Sequence, residues 1–194
     1  MQPVFLNNCR LVLSLAWNVL AHFSEVFRGI DTMIGNRGRF SGVVMPMATM
    51  AALVSLLSII VYAHDYQHAV AEMFYVFGSF LFIYVVFVSL LNYVASKDWF
   101  TDSPAEFCVR AKSFVIALLL VHFDVTIISA LFPSFRIAEL IEFYVIYVSW
   151  TMTGPYLPVS RHRNAFGIIF GALFLVFIKM LHLVLVKSFP NMPI

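Results

Sequence analysis

Two long stretches without a charged side chain constrain this sequence more than any other feature. They are residues 43–63 and residues 73–95. About 20 consecutive apolar residues are needed for a helix to cross the roughly 30 Å of hydrocarbon in a bilayer. A backbone in lipid must also satisfy its hydrogen bonds internally, so each stretch predicts a transmembrane helix.

Three further apolar segments contain one or two ionisable residues each. They are residues 113–132 with His122 and Asp124, residues 138–153 with Glu139 and Glu142, and residues 165–186 with Lys179 and His182. The second of these segments is short, and it can extend to Leu157. The sequence therefore predicts an all-α polytopic membrane bundle with five transmembrane helices in residues 43–187, followed by a short external tail, residues 188–194.

Composition excludes most other classes of protein. Hydrophobic residues make up 62% of the chain and charged residues 11%, whereas a soluble domain carries about 25% charged residues. A soluble enzyme, a disordered chain and a nucleic-acid-binding module are therefore excluded. The net charge of +2 does not by itself imply an acidic partner.

The distribution of Lys and Arg predicts the orientation of the spans. Nine of the 12 fall before the first predicted span, in the loop after the second or in the loop after the fourth. The other three are Arg136, Lys179 and Lys187. Because basic residues favour the cytoplasmic side, the N-terminus is predicted to be cytoplasmic and the C-terminus external.

Residues 1–42 form a separate N-terminal segment with a shorter apolar run, residues 11–23. A run of about 10–14 apolar residues is more often interfacial or packed than spanning. We therefore expect an amphipathic helix on the cytoplasmic membrane face, with Trp17 at the headgroup level. A crossing by residues 4–23 is the alternative. Cys9 and Cys108 both fall on the predicted cytoplasmic side, where thiols stay reduced.

The ionisable residues within the spans are the main candidates for function, because a charge in the bilayer core is costly. The predicted topology places a charge network in the outer half of the membrane: Asp124, Glu139, Glu142 and Lys179. An Asp124–Lys179 or a Glu142–Lys179 pair is possible. Such a pair fixes the register of two helices in one interpretation, and belongs to an ion or proton path in the other.

A weaker candidate site lies between the first two spans. His64, His68 and Glu72 recur at four-residue spacing, which places them on one face of a helix, as in helical metal sites. The favoured interpretation is an interfacial turn without metal. His122 and His182 lack the second facing pair that haem-binding bundles supply, so no cofactor is expected.

Gly167 and Gly171 form a small-xxx-small pair near the start of the fifth predicted span. Such pairs allow the backbones of two helices to approach closely. We expect a close contact here, either inside the bundle or between protomers.

The layout resembles the Yip domain family, whose eukaryotic members interact with Rab GTPases, and it is most similar to the compact bacterial branch. The residues that carry the likeness are Ala16-Trp17, Pro46, Asp124, Leu131-Phe132-Pro133, residues 144–150 and residues 163–169. The Asp-Leu-Tyr-Gly-Pro signature of the eukaryotic members is absent, so Rab binding is not implied. The resemblance implies a multi-pass protein of the bacterial inner membrane and no catalytic residue.

Together these features predict a non-enzymatic membrane protein that acts as a scaffold, a lipid-organising protein or a partner-binding module. Its expected partners are membrane lipids and a second membrane protein or a second copy of itself, and not nucleic acid. The alternative is a small ion, proton or solute transporter that uses the intramembrane charges. A metalloenzyme at His64, His68 and Glu72 is the least favoured hypothesis.

Overall fold

The computed structural model describes residues 4–33, 40–95, 104–133, 137–157 and 163–188, and these residues are α-helical with short turns. The helices are α1 (Val4–Met33), α2 (Met45–Ala63), α3 (Tyr66–Ala95), α4 (Pro104–Leu131), α5 (Ile137–Glu142), α6 (Tyr144–Met152) and α7 (Arg163–Ser188). A π-helical turn, Phe40–Val44, leads directly into α2.

Within the described residues, four helical stretches are long and apolar enough to cross a membrane. They are Phe40–Ala63, Tyr66–Ala95, Glu106–Leu131 and Arg163–Val184. They correspond to the first, second, third and fifth predicted spans. The all-α architecture predicted from the apolar runs is therefore present, and four helices have the length and composition that a multi-pass membrane protein requires.

The fourth predicted span differs from expectation. Residues 137–152 form two short helices, α5 and α6, which are separated by a turn at Phe143, and the apolar part, Leu140–Met152, is shorter than a full crossing. Pro133 precedes this stretch and Gly154-Pro155 follows it, so residues that disfavour helix bound it on both sides. Thr153, with a φ of −67° and a ψ of 125°, ends the helical path, and the following turn contains Gly154 with a positive φ of 102°.

Helix α4 is the centre of the bundle. Every side chain from Ser113 to Val121 is fully buried, which requires neighbours on all sides of the helix. Helices α1, α2, α3, α5 and α6 all pack against it. The interior is filled by apolar and aromatic side chains, including Phe80, Phe114 and Phe174.

The contacts between helices define their directions. Helices α2 and α3 are joined by only His64 and Asp65, and the end of α2 meets the end of α4, where the Ser58 hydroxyl donates to the Ala130 carbonyl at 2.6 Å. Phe82 and Phe87 of α3 contact Phe177 and Phe170 of α7, respectively. Because the order of these contacts is reversed, α7 runs antiparallel to α3 and begins at the end of the bundle where α2 begins.

Helix α1 packs against α2, α4 and the π-helical turn, and it bends at His22, whose φ and ψ are −140° and 51°. Val12, Leu15, Ala16 and Val19 form its buried side. Despite its length, α1 is not among the helices apolar enough to cross a membrane. The thiols of Cys9 and Cys108 are free.

Candidate functional site

An ion pair joins Glu142 at the end of α5 to Lys179 in α7. Lys179 Nζ lies 2.5 Å from Glu142 Oε2. The approach lacks the angles of an aligned hydrogen bond, since Oε2 has no hydrogen-bond donor despite the short distance. The contact is therefore an electrostatic pairing of two opposite charges.

The two partners differ in exposure. The Glu142 side chain is only 10% exposed, whereas the Lys179 side chain is 46% exposed. Helix α5 packs against α4 and α6, and the Lys179 side chain reaches the carboxylate from α7. An unpaired carboxylate in this position would be costly, so Lys179 supplies the charge that allows Glu142 to be buried.

His122 of α4 lies close to this pair. Its ring stacks on Phe80 with centroids 5.1 Å apart, and the charges of Lys179 and His182 are near enough to act on it. Its Nδ1 atom is buried without a hydrogen-bond partner among the described residues. The described contacts therefore join Glu142 of α5 to Lys179 of α7, whereas the ring contact of His122 is with Phe80 of α3.

Asp124 forms no ion pair with Lys179 within the described residues. Its Oδ2 atom is buried and finds no partner within the described part of the chain. Of the two pairings considered from the sequence, the structure contains Glu142–Lys179. Glu139 belongs to α5, but its side chain lies outside the described residues.

Asp65 organises the residues between α2 and α3. Asp65 Oδ1 accepts hydrogen bonds from the backbone N–H groups of Gln67 and His68, each at 3.1 Å, so Asp65 caps the N-terminus of α3. Its other carboxylate oxygen contacts His68 Nδ1. The His68 contact holds the pKa of Asp65 below its usual value.

The described residues contain no group of three His, Cys, Asp or Glu side chains that could hold a metal ion. His64, His68 and Glu72 therefore do not come together as a metal site there. His64 ends α2 in the left-handed conformation, with a φ of 54°, and Glu72 Oε2 is buried without a hydrogen-bond partner within the same described range.

Gly167 and Gly171 lie where α7 crosses α6. A Cβ atom on Gly167 would come within 2.7 Å of the Trp150 Cα, and one on Gly171 within 2.8 Å of the Ile146 Cα. The two backbones are thus in direct contact, and the glycine pair serves a contact inside the bundle.

Sequence reasoning missed the polar residues beside this crossing. The buried Ser149 hydroxyl donates to the Gly167 carbonyl at 2.7 Å, and Arg163 Nε donates to the Thr153 carbonyl at 2.6 Å. A serine and a threonine in an apolar helix, facing a small-xxx-small pair, could have indicated a polar contact here. Their partners could not be named without the structure.

No family model, curated protein or solved structure matches this chain. The resemblance to the Yip domain family therefore has no support from these comparisons and stays a prediction.

Proposed function

We propose that this chain is a non-catalytic multi-pass membrane protein that acts as a scaffold or partner-binding module. One observation carries the proposal: Glu142, a buried acidic residue at the end of α5, is neutralised by Lys179 of α7 in a direct ion pair. A charge pair of this kind fixes the register of two helices. The complete burial of α4 from Ser113 to Val121 is consistent with a filled interior.

The surface of the bundle supports a role in which lipid or another membrane protein is the partner. Large apolar side chains are exposed on α2, α3 and α7, among them Leu57, Phe74 and Ile169. Such side chains are suited to lipid or to the helices of a partner. Native mass spectrometry of protein released from its own membrane tests this, and we expect a discrete lipid or protein adduct. A bare monomer would contradict the partner-binding role.

We further propose five passages through the membrane, with a cytoplasmic N-terminus and an external C-terminus. The direction of α7 supports this, because the chain must return from the end of α4 to the opposite end of the bundle before α7 begins. Residues 137–152 make this return, although these residues would span only about 24 Å even as one continuous helix. A thinner local bilayer or the turns at either end would complete the passage.

Reporter fusions test this topology. A reporter placed after Ile194 and one placed within residues 97–110 are expected on opposite sides of the membrane. If both are cytoplasmic, the five-passage topology is wrong.

A transporter is the second candidate, and a specific observation favours it. Asp124 Oδ2 and His122 Nδ1 are both buried without hydrogen-bond partners among the described residues. Polar atoms left in this state inside a membrane bundle are costly and are often functional. A transported proton or cation would give these atoms a partner.

Flux measurements separate the two candidates. Protein in vesicles that contain a pH-sensitive dye is compared with protein-free vesicles under an imposed proton or cation gradient. The scaffold proposal expects equal rates. Flux that is present in the native protein and abolished by Asp124→Asn would instead establish transport. Asp65→Asn is the matched control, because it removes a carboxylate outside the candidate spans.

A further inference from the structure

Helix α1 has three distinct sides over residues 5–19, whose side chains are described. The side formed by Val12, Leu15, Ala16 and Val19 is buried, and α1 packs against α2 and α4. The remaining circumference is exposed to its surroundings, and its composition is not uniform.

The exposed circumference divides into an apolar and a polar line. Leu6, Leu13 and Trp17, which we call the outer strip, are exposed, and Trp17 is 83% exposed. The exposed Arg10 lies on the same side of α1, between Leu6 and Leu13, and a basic residue beside apolar ones is common on helices at the membrane interface. Each residue of the outer strip is followed directly in the sequence by a polar residue: Asn7, Ser14 and Asn18. Because successive residues of an α-helix are rotated by about 100°, these three form a second line on the neighbouring side of the helix. In this polar line the Asn18 side-chain amide donates to the Ser14 carbonyl at 2.8 Å.

We propose that the outer strip is a lipid-binding surface, which inserts into the leaflet where α2 begins. Helix α1 contacts the π-helical turn at the start of α2 and also packs on α4, and both α2 and α4 are candidate membrane spans. A helix is about 10–12 Å in diameter, so the outer strip lies within about that distance of two helices that are candidate spans. A helix that lies in the membrane interface has one apolar side towards the lipid and one polar side towards water. Helix α1 has both of these sides, and its third side packs on protein.

The size of the strip favours lipid over a protein partner. A tryptophan buries about 150–250 Å² and dominates the area of the strip. A stable protein interface needs about 800 Å² from each partner, which a strip of three side chains does not supply. An indole ring beside polar neighbours is also the side chain that membranes accommodate at the level of the headgroups.

This inference rests on the membrane-spanning character of α2 and α4, and not on the scaffold role. It concerns the depth of one residue, so its failure and a failure of the flux test are distinguishable.

The test measures the depth of Trp17 by fluorescence. The chain has three tryptophans, and Trp99→Phe with Trp150→Phe leaves Trp17 alone. The protein is placed in vesicles whose lipids are brominated near the headgroup or near the bilayer centre, and iodide is the quencher in water. We expect strong quenching by the shallow bromines, weaker quenching by the deep ones and little by iodide.

A matched variant carries its only tryptophan on the polar line, through Ser14→Trp combined with the replacement of all three native tryptophans by phenylalanine. It is expected to show the reverse preference, with strong quenching by iodide. If the double replacement disturbs folding, the native protein and Trp17→Phe are compared, and the component of bromolipid quenching that disappears reports Trp17. Iodide quenching of Trp17 equal to that of the Ser14→Trp variant would overturn the proposal. Protection of Trp17 from both quenchers would overturn it as well, because it would indicate a protein partner or a second copy.

Discussion

The hydroxyl of Ser149 donates a hydrogen bond to the carbonyl of Gly167 across the crossing of α6 and α7, at 2.7 Å. Both residues are buried, and the missing side chain of Gly167 is what allows the hydroxyl and the carbonyl to meet. A Cβ atom on Gly167 would lie 2.9 Å from Thr153 Oγ1 and 3.0 Å from the Ser149 carbonyl oxygen. Close approach and hydrogen bonding thus depend on each other at this crossing.

Gly167→Ala is expected to destabilise the protein by about 1–3 kcal/mol, because the added methyl group forces the two backbones apart. The nearest atom to the new Cβ is the Trp150 Cα, at 2.7 Å, which cannot move as a flexible side chain would. The measurement is the free energy of unfolding in detergent micelles or bicelles.

Gly78→Ala is the matched control for this substitution. A Cβ atom there meets no other atom within 4 Å, and alanine is the better helix former. We expect unchanged or higher stability. Equal destabilisation by the two substitutions would show that steric contact at the α6–α7 crossing is not the cause.

The ion pair between Glu142 and Lys179 makes a second prediction. Lys179→Met leaves a buried carboxylate without its counter-charge, and we expect a loss of about 1–3 kcal/mol. This is less than for a fully buried pair, because Lys179 is half exposed. Adding Glu142→Gln is expected to recover much of the loss. A double-mutant cycle of unfolding free energies measures the coupling between Glu142 and Lys179. Additive effects of the two substitutions would show that the ion pair does not stabilise the protein.

The sequence predicted the long helices well because lipid imposes a simple requirement on composition. The uncharged runs of residues 43–63 and 73–95 lie within the first two candidate spans. Helix boundaries were less accessible, since α3 begins at Tyr66 and α4 at Pro104. Both helices continue beyond their apolar segments and include the polar residues at these ends.

The break between α5 and α6 lies at Phe143, between Glu142 and Tyr144, where the sequence has no glycine or proline to mark it. The candidate site was predictable only as a set of residues. That Lys179 contacts Glu142 and not Asp124 depends on the rotation of α7 against α5 and α4, which a single sequence does not specify. The turn chemistry of Asp65 was available in the sequence, because an aspartate just before a helix is a common N-cap.

Two hydrogen bonds from α2 to the last carbonyls of α4 give a third prediction. The Ser58 hydroxyl donates to the Ala130 carbonyl at 2.6 Å, and the Tyr62 hydroxyl donates to the Leu131 carbonyl at 3.1 Å. Carbonyls at a helix end lack partners in their own helix. Ser58→Ala is expected to cost about 0.5–1 kcal/mol.

Tyr62→Phe is expected to cost less than Ser58→Ala, because Tyr62 is exposed and its bond is longer. Thr49→Val serves as the control: the Thr49 hydroxyl donates to the Met45 carbonyl within α2, so its loss leaves the α2–α4 contact intact. Hydrogen exchange of the amides near residue 130 should increase in Ser58→Ala and stay unchanged in Thr49→Val.

The Asp65 cap makes the start of α3 sensitive to pH. The hydrogen bonds from His68 lower the pKa of Asp65 in the folded protein, so the charged form is favoured by folding. The resulting stabilisation is present above the pKa of an aspartate in an unfolded chain, about 3.9, and is lost as the pH falls through the lower folded value. Hydrogen exchange of the Gln67 and His68 amides is therefore expected to rise in acid.

Asparagine also caps helices, so Asp65→Asn should keep these amides protected at neutral pH and remove the acid-dependent change. Asp65→Ala should expose them at every pH. The measured exchange rates are corrected for the intrinsic pH dependence of exchange. If the native protein then shows the same exchange at these two amides above and below the pKa of Asp65, the cap is refuted.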